Sequence, residues 1–270
     1  MGPLVPGLGS LSRPLNCASP LTQGVRKPAV GLVSCLAMAE MDEVLEVIQQ
    51  RRPWATLRIS GFEWRHNSLL QKAFERAVRA VGGQITTIES SYVPPDEETE
   101  PWALWRQEPD LMRAEFRVGP ETVKAVWNAD SWWAWSPSRE RMTNSGALNH
   151  QHGLGQAEGF LDPAIVLPFV DLELQGEIRL AGRPAHRLVA RPLPPYWPRE
   201  GAPEALFLLG AGADEYWLTV DAERGLLLRA EARLDGVQFR VVEVQDVVYD
   251  EQLACDTFHL DPDVCEGGAG

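Results

Sequence analysis

Charged and apolar residues alternate along the chain from Leu111 onward. This is the pattern of strands that bury one face and expose the other. Breaks in the alternation at Gly119-Pro120 and around Asn128–Asp130 predict turns. We therefore expect an antiparallel meander with strands at Leu111–Val118, Thr122–Trp127 and Ser131–Trp135. The tryptophans at its end must either pack beneath another element or line a hollow.

The same period of two recurs through much of the remaining chain, between segments rich in turn residues. Asp235-Gly236 is the clearest hairpin signal among these turns. The predicted strands are Thr56–Trp64, Ile85–Tyr92, Trp102–Trp105, Leu172–Leu180, Ala185–Arg191, Ala205–Gly210, Glu215–Val220, Leu226–Leu234 and Gln238–Tyr249. So many short strands with few helices predict an α+β, mainly antiparallel β protein. We expect a single strongly curved sheet rather than βαβ units.

Three segments instead place apolar residues at helical spacing. The first helix is predicted from Met41 to just before Pro53, and the second from Leu69 to Val81, where a glycine pair follows. The second segment also fits a looser alternation, so a strand stays open there. A third, short helix is predicted from Pro163 to Val170, with Asp162 as its cap. Loops are predicted at Pro94–Glu98, Arg139–Gly159 and Pro192–Pro203.

Residues 1–40 differ in composition from the rest and are predicted to be a disordered leader, or an upstream extension if translation starts at Met41. Leu32–Cys35 has the form of a lipoprotein cleavage box, but the apolar stretch before it is shorter than export requires. We therefore expect a cytoplasmic protein, with export or lipid anchoring through Cys35 as the alternative. Residues 41–264 show no internal boundary and predict one domain, and residues 265–270 predict a flexible tail.

The formal net charge of −13 argues against nucleic acid as a partner, because phosphate binding needs clustered Lys and Arg. The sequence contains no apolar run long enough for a transmembrane segment. The four cysteines, Cys17, Cys35, Cys255 and Cys265, are too dispersed for a zinc site of CxxC type. A Cys255–Cys265 disulfide and unpaired thiols both stay open.

Residues that could carry chemistry are sparse. His150 and His152 have metal-ligand spacing, but no third ligand of the right type lies near them in sequence. No nucleophile elbow, zinc-protease helix or kinase motif is present. We therefore expect no cofactor and no metal, and a protein that is not an enzyme.

A series of short motifs resembles the LolA-like family, the periplasmic lipoprotein carriers and the related N-terminal domain of the sigma-E regulator RseB, in its divergent actinobacterial form. These motifs are Arg113–Phe116, Trp132–Pro137, Phe160–Ala164, Gly182–Ala185, Tyr216–Asp221 and Gly225–Arg229. The resemblance implies an incomplete antiparallel barrel whose concave face is covered by short helices. It also implies an apolar cavity for acyl chains.

On this basis we predict that the protein binds a hydrophobic small molecule or lipid. The candidate cavity-lining residues are Phe116, Trp127, Trp132, Trp133, Trp135, Leu167, Phe169 and Trp217. The tryptophans would also suit a solid core. Two other functions stay open. One is a sensor or interaction module with a protein partner, and the other is an uncharacterised hydrolase that uses His150 and His152.

Overall fold

A computed structural model describes residues 30–50, 54–80, 83, 95–118, 121–128, 131–136, 139–144, 162–193, 209–254 and 256–258. Two α-helices, α1 (Val30–Gln50) and α2 (Asn67–Ala80), and two 3-10 turns, Pro163–Ile165 and Leu167–Phe169, accompany the strands. The strands are β1 (Thr56–His66), β2 (Glu97–Gln107), β3 (Leu111–Val118), β4 (Glu121–Asn128), β5 (Ser131–Ser136), β6 (Arg139–Asn144), β7 (Val170–Leu180), β8 (Arg183–Pro192), β9 (Glu215–Asp221), β10 (Leu227–Leu234) and β11 (Val237–Tyr249).

The strands form one sheet in the order β6-β5-β4-β3-β2-β1-β11-β10-β9-β8-β7. Neighbouring strands are antiparallel throughout. Two meanders, β2–β6 and β7–β11, are joined through the central strand β1. The described strands leave the sheet open, with β6 and β7 as its edges. This single open antiparallel sheet confirms the fold class predicted from the sequence, and it is consistent with the incomplete barrel that the resemblance implies.

The two faces of the sheet differ in chemistry. One face, here called the inner face, carries the main core: Leu57, Leu104, Leu218 and Val244 belong to it. The helices pack on this face, α2 against β1 and β11 and α1 against β7. The opposite, outer face carries rows of alternating charges, such as Arg229 with Glu231 and Glu243.

The first helix begins at Val30 and not at Met41, so residues 30–40 are helical rather than part of a disordered leader. Its described buried residues are Val44 and Ile48, one turn apart on a single side. Residues 1–29 lie outside the described part. No helix in the described ranges has both the length and the apolar composition that crossing a bilayer requires.

The ambiguous second segment is a helix, as its periodicity favours. Its end is marked by Gly83, whose N–H donates to the carbonyl of Val78 over 2.9 Å. The hairpin at Asp235-Gly236 is confirmed, because both residues have positive φ, 52° and 79°, as a tight two-residue turn requires.

Three predictions differ from the structure. Strand β2 begins at Glu97, inside the predicted acidic loop, because Arg65 of β1 pairs with Glu98 and neutralises it. Arg139–Asn144 is strand β6, not loop. The predicted helix at 163–170 is two 3-10 turns, since Pro168 lacks the N–H that a continuous helix needs.

The predicted helix cap at Asp162 and the predicted end of a strand at Gly210 also differ from the structure. The Asp162 side chain makes no capping hydrogen bond to the first 3-10 turn. Leu209 and Gly210 are not in a strand, and Gly210 has a φ of 123°. The rest of the predicted strand at 205–210 and the one at 85–92 lie outside the described residues, as do Cys255 and residues 259–270.

Candidate functional site

The inner face of β2, β3 and β4 carries large apolar side chains in two parallel rows. Trp102 and Phe116 are direct cross-strand partners in one row, and Met112 and Trp127 are partners in the other. All four are half-buried and pack against the main core. The two rows lie four residues apart along β3, from Met112 to Phe116, which is roughly 13 Å.

Between the two rows lies a line of alanines. Ala114 of β3 pairs with Ala125 of β4, and Ala125 pairs with Ala134 of β5. All three are buried. We name this line of small, buried side chains between two rows of large ones the alanine groove (Ala114, Ala125, Ala134). Phe116 and Trp127 pack against this groove from either side.

The Trp102 ring is held close to the sheet by a glycine in the neighbouring strand. A Cβ atom at Gly61 of β1 would lie 3.0 Å from Cζ2 of Trp102 and 1.9 Å from the carbonyl oxygen of Glu243. A side chain at position 61 is therefore excluded by both neighbours. The glycine therefore allows the indole to approach β1 closely beside the apolar surface.

Charged residues border this apolar surface at one end. Glu63 of β1 and Glu100 of β2 are direct cross-strand partners, and both are buried. Arg240 donates from Nε to Glu63 over 2.8 Å, and Arg65 donates to Glu100 over 2.7 Å and to Glu98 over 3.0 Å. We call these five residues the polar cluster (Glu63, Arg65, Glu98, Glu100, Arg240).

The polar cluster shifts the pKa values of two of its members, Glu100 and Arg65. Burial raises the pKa of the Glu100 carboxyl, and the Arg65 guanidinium offsets only part of this rise while the Glu98 and Glu63 charges add to it. Burial lowers the pKa of Arg65, but the surrounding carboxylates outweigh this and raise it above its ordinary value. Two carboxylates facing each other across a ladder repel, so the guanidiniums are needed to keep them together.

Four of the predicted lining residues pack against the main core on the inner face. Phe116 and Trp127 flank the alanine groove. Leu167 and Phe169 lie in the second 3-10 turn, half-buried against the main core. Trp132, Trp133 and Trp135 lie in β5, where Trp132 pairs with Trp127, and their side chains are outside the described part.

Trp217 does not line the inner face. Its neighbours in β9, Tyr216 and Leu218, belong to the main core, so Trp217 projects from the outer face. There its ring lies between Arg187 and Arg233, with centroid distances of 4.3 Å and 4.4 Å to the two guanidinium carbons. This placement corrects the prediction for Trp217.

Sequence reasoning missed Trp102, Met112, the alanine groove and the polar cluster. Each of the alanines stands alone between larger residues, so only the strand register shows that they align. The described residues contain no cluster of His, Cys, Asp and Glu that could hold a metal ion. His150 and His152 lie outside these residues.

No protein-family model and no curated protein matches the sequence. Solved structures are similar at low identity. A crystal structure of MucB in complex with MucA(peri) matches with a TM-score of 0.43 and 15% identity, over 83% of this chain and 60% of that chain. The lipoprotein LppX of Mycobacterium tuberculosis matches with a TM-score of 0.44 and 12% identity, over 82% of this chain and 99% of that one.

A LolA superfamily protein from Nitrosomonas europaea matches with a TM-score of 0.30 and 11% identity, over 84% of this chain and 98% of that chain. The chain spans about three fifths of the MucB chain that it matches.

Proposed function

We propose that the protein is a non-enzymatic binder of a hydrophobic ligand, an acyl chain or lipid, on the inner face of β2–β4. The observation that carries this proposal is the alanine groove between two rows of half-buried large apolar side chains. Large apolar residues that stay half-buried beside a core are available to a ligand, whereas a filled core would bury them completely.

The expected affinity follows from the size of an acyl chain. Burying about fourteen methylenes at ~0.8 kcal/mol each contributes ~11 kcal/mol. Association costs at least ~4 kcal/mol. The remainder, about 7 kcal/mol, corresponds to a dissociation constant on the order of 10 µM. Binding of this strength is reversible, as a carrier needs.

The experiment is a titration of the folded protein with an environment-sensitive fatty-acid probe. We expect saturable binding in the micromolar range, together with quenching of tryptophan emission by the bound probe. A protein whose circular dichroism shows a folded sheet but which binds no probe up to millimolar concentration would contradict the proposal. Mass spectrometry of the natively expressed protein would identify a lipid that co-purifies.

A protein-interaction or sensor role is the second candidate, and the edge strand β7 favours it. In the described part of the sheet β7 pairs with β8 alone. It alternates half-buried Leu172 and Leu174 with exposed Glu173 and Glu177. Such an edge can accept a strand from a basic partner. A photo-crosslinking residue at Glu177, compared with one at Arg233, would test it in native extract.

A hydrolase would depend on His150 and His152, and we propose binding rather than catalysis.

The same binding function suits either of two locations. One is the cytoplasm, which the short apolar stretch before Leu32–Cys35 favours. The other is an exported protein anchored through Cys35, which lies within α1. Mass analysis of the N-terminal peptide distinguishes the two locations, because anchoring adds acyl chains to Cys35.

A further inference from the structure

The polar cluster directly adjoins the proposed ligand surface. Glu100 lies two residues before Trp102 on the same face of β2, and Glu63 lies two residues after Gly61 on β1. The inner face is therefore amphipathic, with aromatic rows along its middle and a charged row at one end. A ligand that lies along the Trp102–Phe116 row and ends at Trp102 has that end roughly 7 Å along β2 from Glu100.

The polar cluster contains more carboxylate acceptors than guanidinium donors. Three carboxylates face two guanidiniums, and Arg65 already donates to both Glu98 and Glu100. Arg240 donates to Glu63. Oε1 of Glu100 is buried and has no hydrogen-bond partner in the described part of the chain. The whole residue is only 8% exposed.

A buried carboxylate oxygen without a donor is costly, because it has lost water without gaining a replacement. The missing group must donate a hydrogen bond. A positively charged donor would also balance the excess carboxylate, whereas a ligand carboxylate would add a fourth negative group to the cluster. An ammonium group meets both conditions, and a hydroxyl meets only the first.

We propose that the polar end of the ligand is an ammonium group that donates hydrogen bonds to Glu100 and its partner Glu63. This inference rests on the proposed function, because the apolar chain must lie on the aromatic rows for its end to reach the cluster. The ligand is then a cationic amphiphile with a primary amine. Such a cation would lower the pKa of Glu100, which burial raises, and so restore the ionised carboxylate.

The test compares matched probes by isothermal titration calorimetry at neutral pH, below their micellar concentrations. The probes are dodecylammonium, dodecanoate and dodecanol, which share one chain, and butylammonium, which shares only the head. We expect dodecylammonium to bind at least about tenfold more tightly than dodecanoate, with dodecanol between them. We expect butylammonium to bind at least about a hundredfold more weakly than dodecylammonium, because it lacks most of the methylenes.

Glu100→Gln keeps the shape of the side chain and removes its charge, so it should reduce the preference for dodecylammonium to about threefold or less. Glu115→Gln is the matched control, because Glu115 pairs with Arg113 on the outer face. It should leave the preference unchanged. If Glu100→Gln fails to fold, the comparison of probes on the unaltered protein still tests the preference for an ammonium head group.

The outcomes separate the inference from the proposed function. If dodecanol binds tightly and dodecanoate binds as tightly as dodecylammonium or more tightly, the ammonium site is overturned. Hydrophobic binding on the inner face then still stands. An unchanged preference in folded Glu100→Gln would overturn the role of the polar cluster. Butylammonium as tight as dodecylammonium would overturn the placement of the chain on the aromatic rows. If no amphiphile binds, both the inference and the proposed function fail.

Discussion

Trp127 and Trp217 project from opposite faces of one sheet. Trp127 packs beside the alanine groove on the inner face, whereas Trp217 lies between Arg187 and Arg233 on the outer face. Both are half-buried indoles in antiparallel strands. Alanine at position 127 removes an inner-face indole, and alanine at position 217 removes an outer-face indole. Comparing the two variants therefore separates the effect of lost ligand contact on affinity from the general effect of losing a tryptophan.

Asp221 joins three parts of the sheet from a fully buried position. It accepts hydrogen bonds from Arg183, from the Tyr249 hydroxyl over 3.2 Å, and from the backbone N–H groups of Glu223 and Arg224. We expect Asp221→Ala to lower the free energy of unfolding by about 3–5 kcal/mol, because it leaves buried donors without an acceptor. Urea unfolding followed by circular dichroism measures this.

Asp246→Ala is the matched control for this change, because Asp246 also pairs with an arginine, Arg58, at 3.0 Å, but in an exposed position. Exposed ion pairs contribute at most about 1 kcal/mol. Equal losses of unfolding free energy in Asp221→Ala and Asp246→Ala would show that burial does not increase the contribution of Asp221 to stability.

Gly212 allows α2 to lie directly on the loop before β9. A Cβ atom at position 212 would lie 1.9 Å from the carbonyl oxygen of Ala73, and the φ of Gly212 is 84°. Gly236 has a similar φ of 79°, but no atom lies within 4 Å of its added Cβ. Alanine at either position costs about 1–2 kcal/mol of backbone strain.

We expect Gly212→Ala to cost about 1–3 kcal/mol more than Gly236→Ala, because only the former forces α2 away from the loop. Thermal and urea unfolding of the two variants give this difference. If the two variants are equally stable, α2 does not depend on the close contact at Ala73.

Asp214 should make stability depend on pH. Burial acts to raise the pKa of its carboxyl, but hydrogen bonds from Arg76 and from the N–H of Asp235 outweigh burial and hold the pKa below its usual value. The unfolded chain therefore takes up this proton first as pH falls. The stabilisation is complete above the unfolded pKa of about 3.9 and is lost as pH falls through the folded pKa.

The measurement compares the unfolding free energies of the wild type and Asp214→Asn between about pH 2 and pH 7. We expect the advantage of the wild type to be constant near neutrality and to shrink below about pH 4. If the stability difference between the wild type and Asp214→Asn stays constant or grows on acidification, the lowered pKa assigned to Asp214 is contradicted.

The meander of β3, β4 and β5 could be predicted from the sequence, because local alternation and turn residues determine it. The pairing of β1 with β11 could not, since it joins residues such as Leu57 and Tyr249 at opposite ends of the domain. Strand β2 also starts earlier than its acidic residues suggest, because the neutralising Arg65 comes from another strand.

The candidate site was predictable only in part, for the same reason. Phe116 and Trp127 follow from alternation within their own strands. Trp217 stands between two other large apolar residues, Tyr216 and Leu218, so alternation could not assign its face. The alanine groove and the polar cluster exist only once β1–β5 and β11 are in register, and single alanines or glutamates in a sequence carry no such signal.

The most direct test of ligand binding on the inner face is the affinity of the fatty-acid probe for the wild type, Trp127→Ala and Trp217→Ala, measured on folded proteins. We expect Trp127→Ala to weaken binding at least about tenfold, which corresponds to about 1.4 kcal/mol of lost apolar contact. Trp217→Ala should bind the probe as the wild type does. Equal loss in both variants, or loss in Trp217→Ala alone, would contradict a ligand site on the inner face.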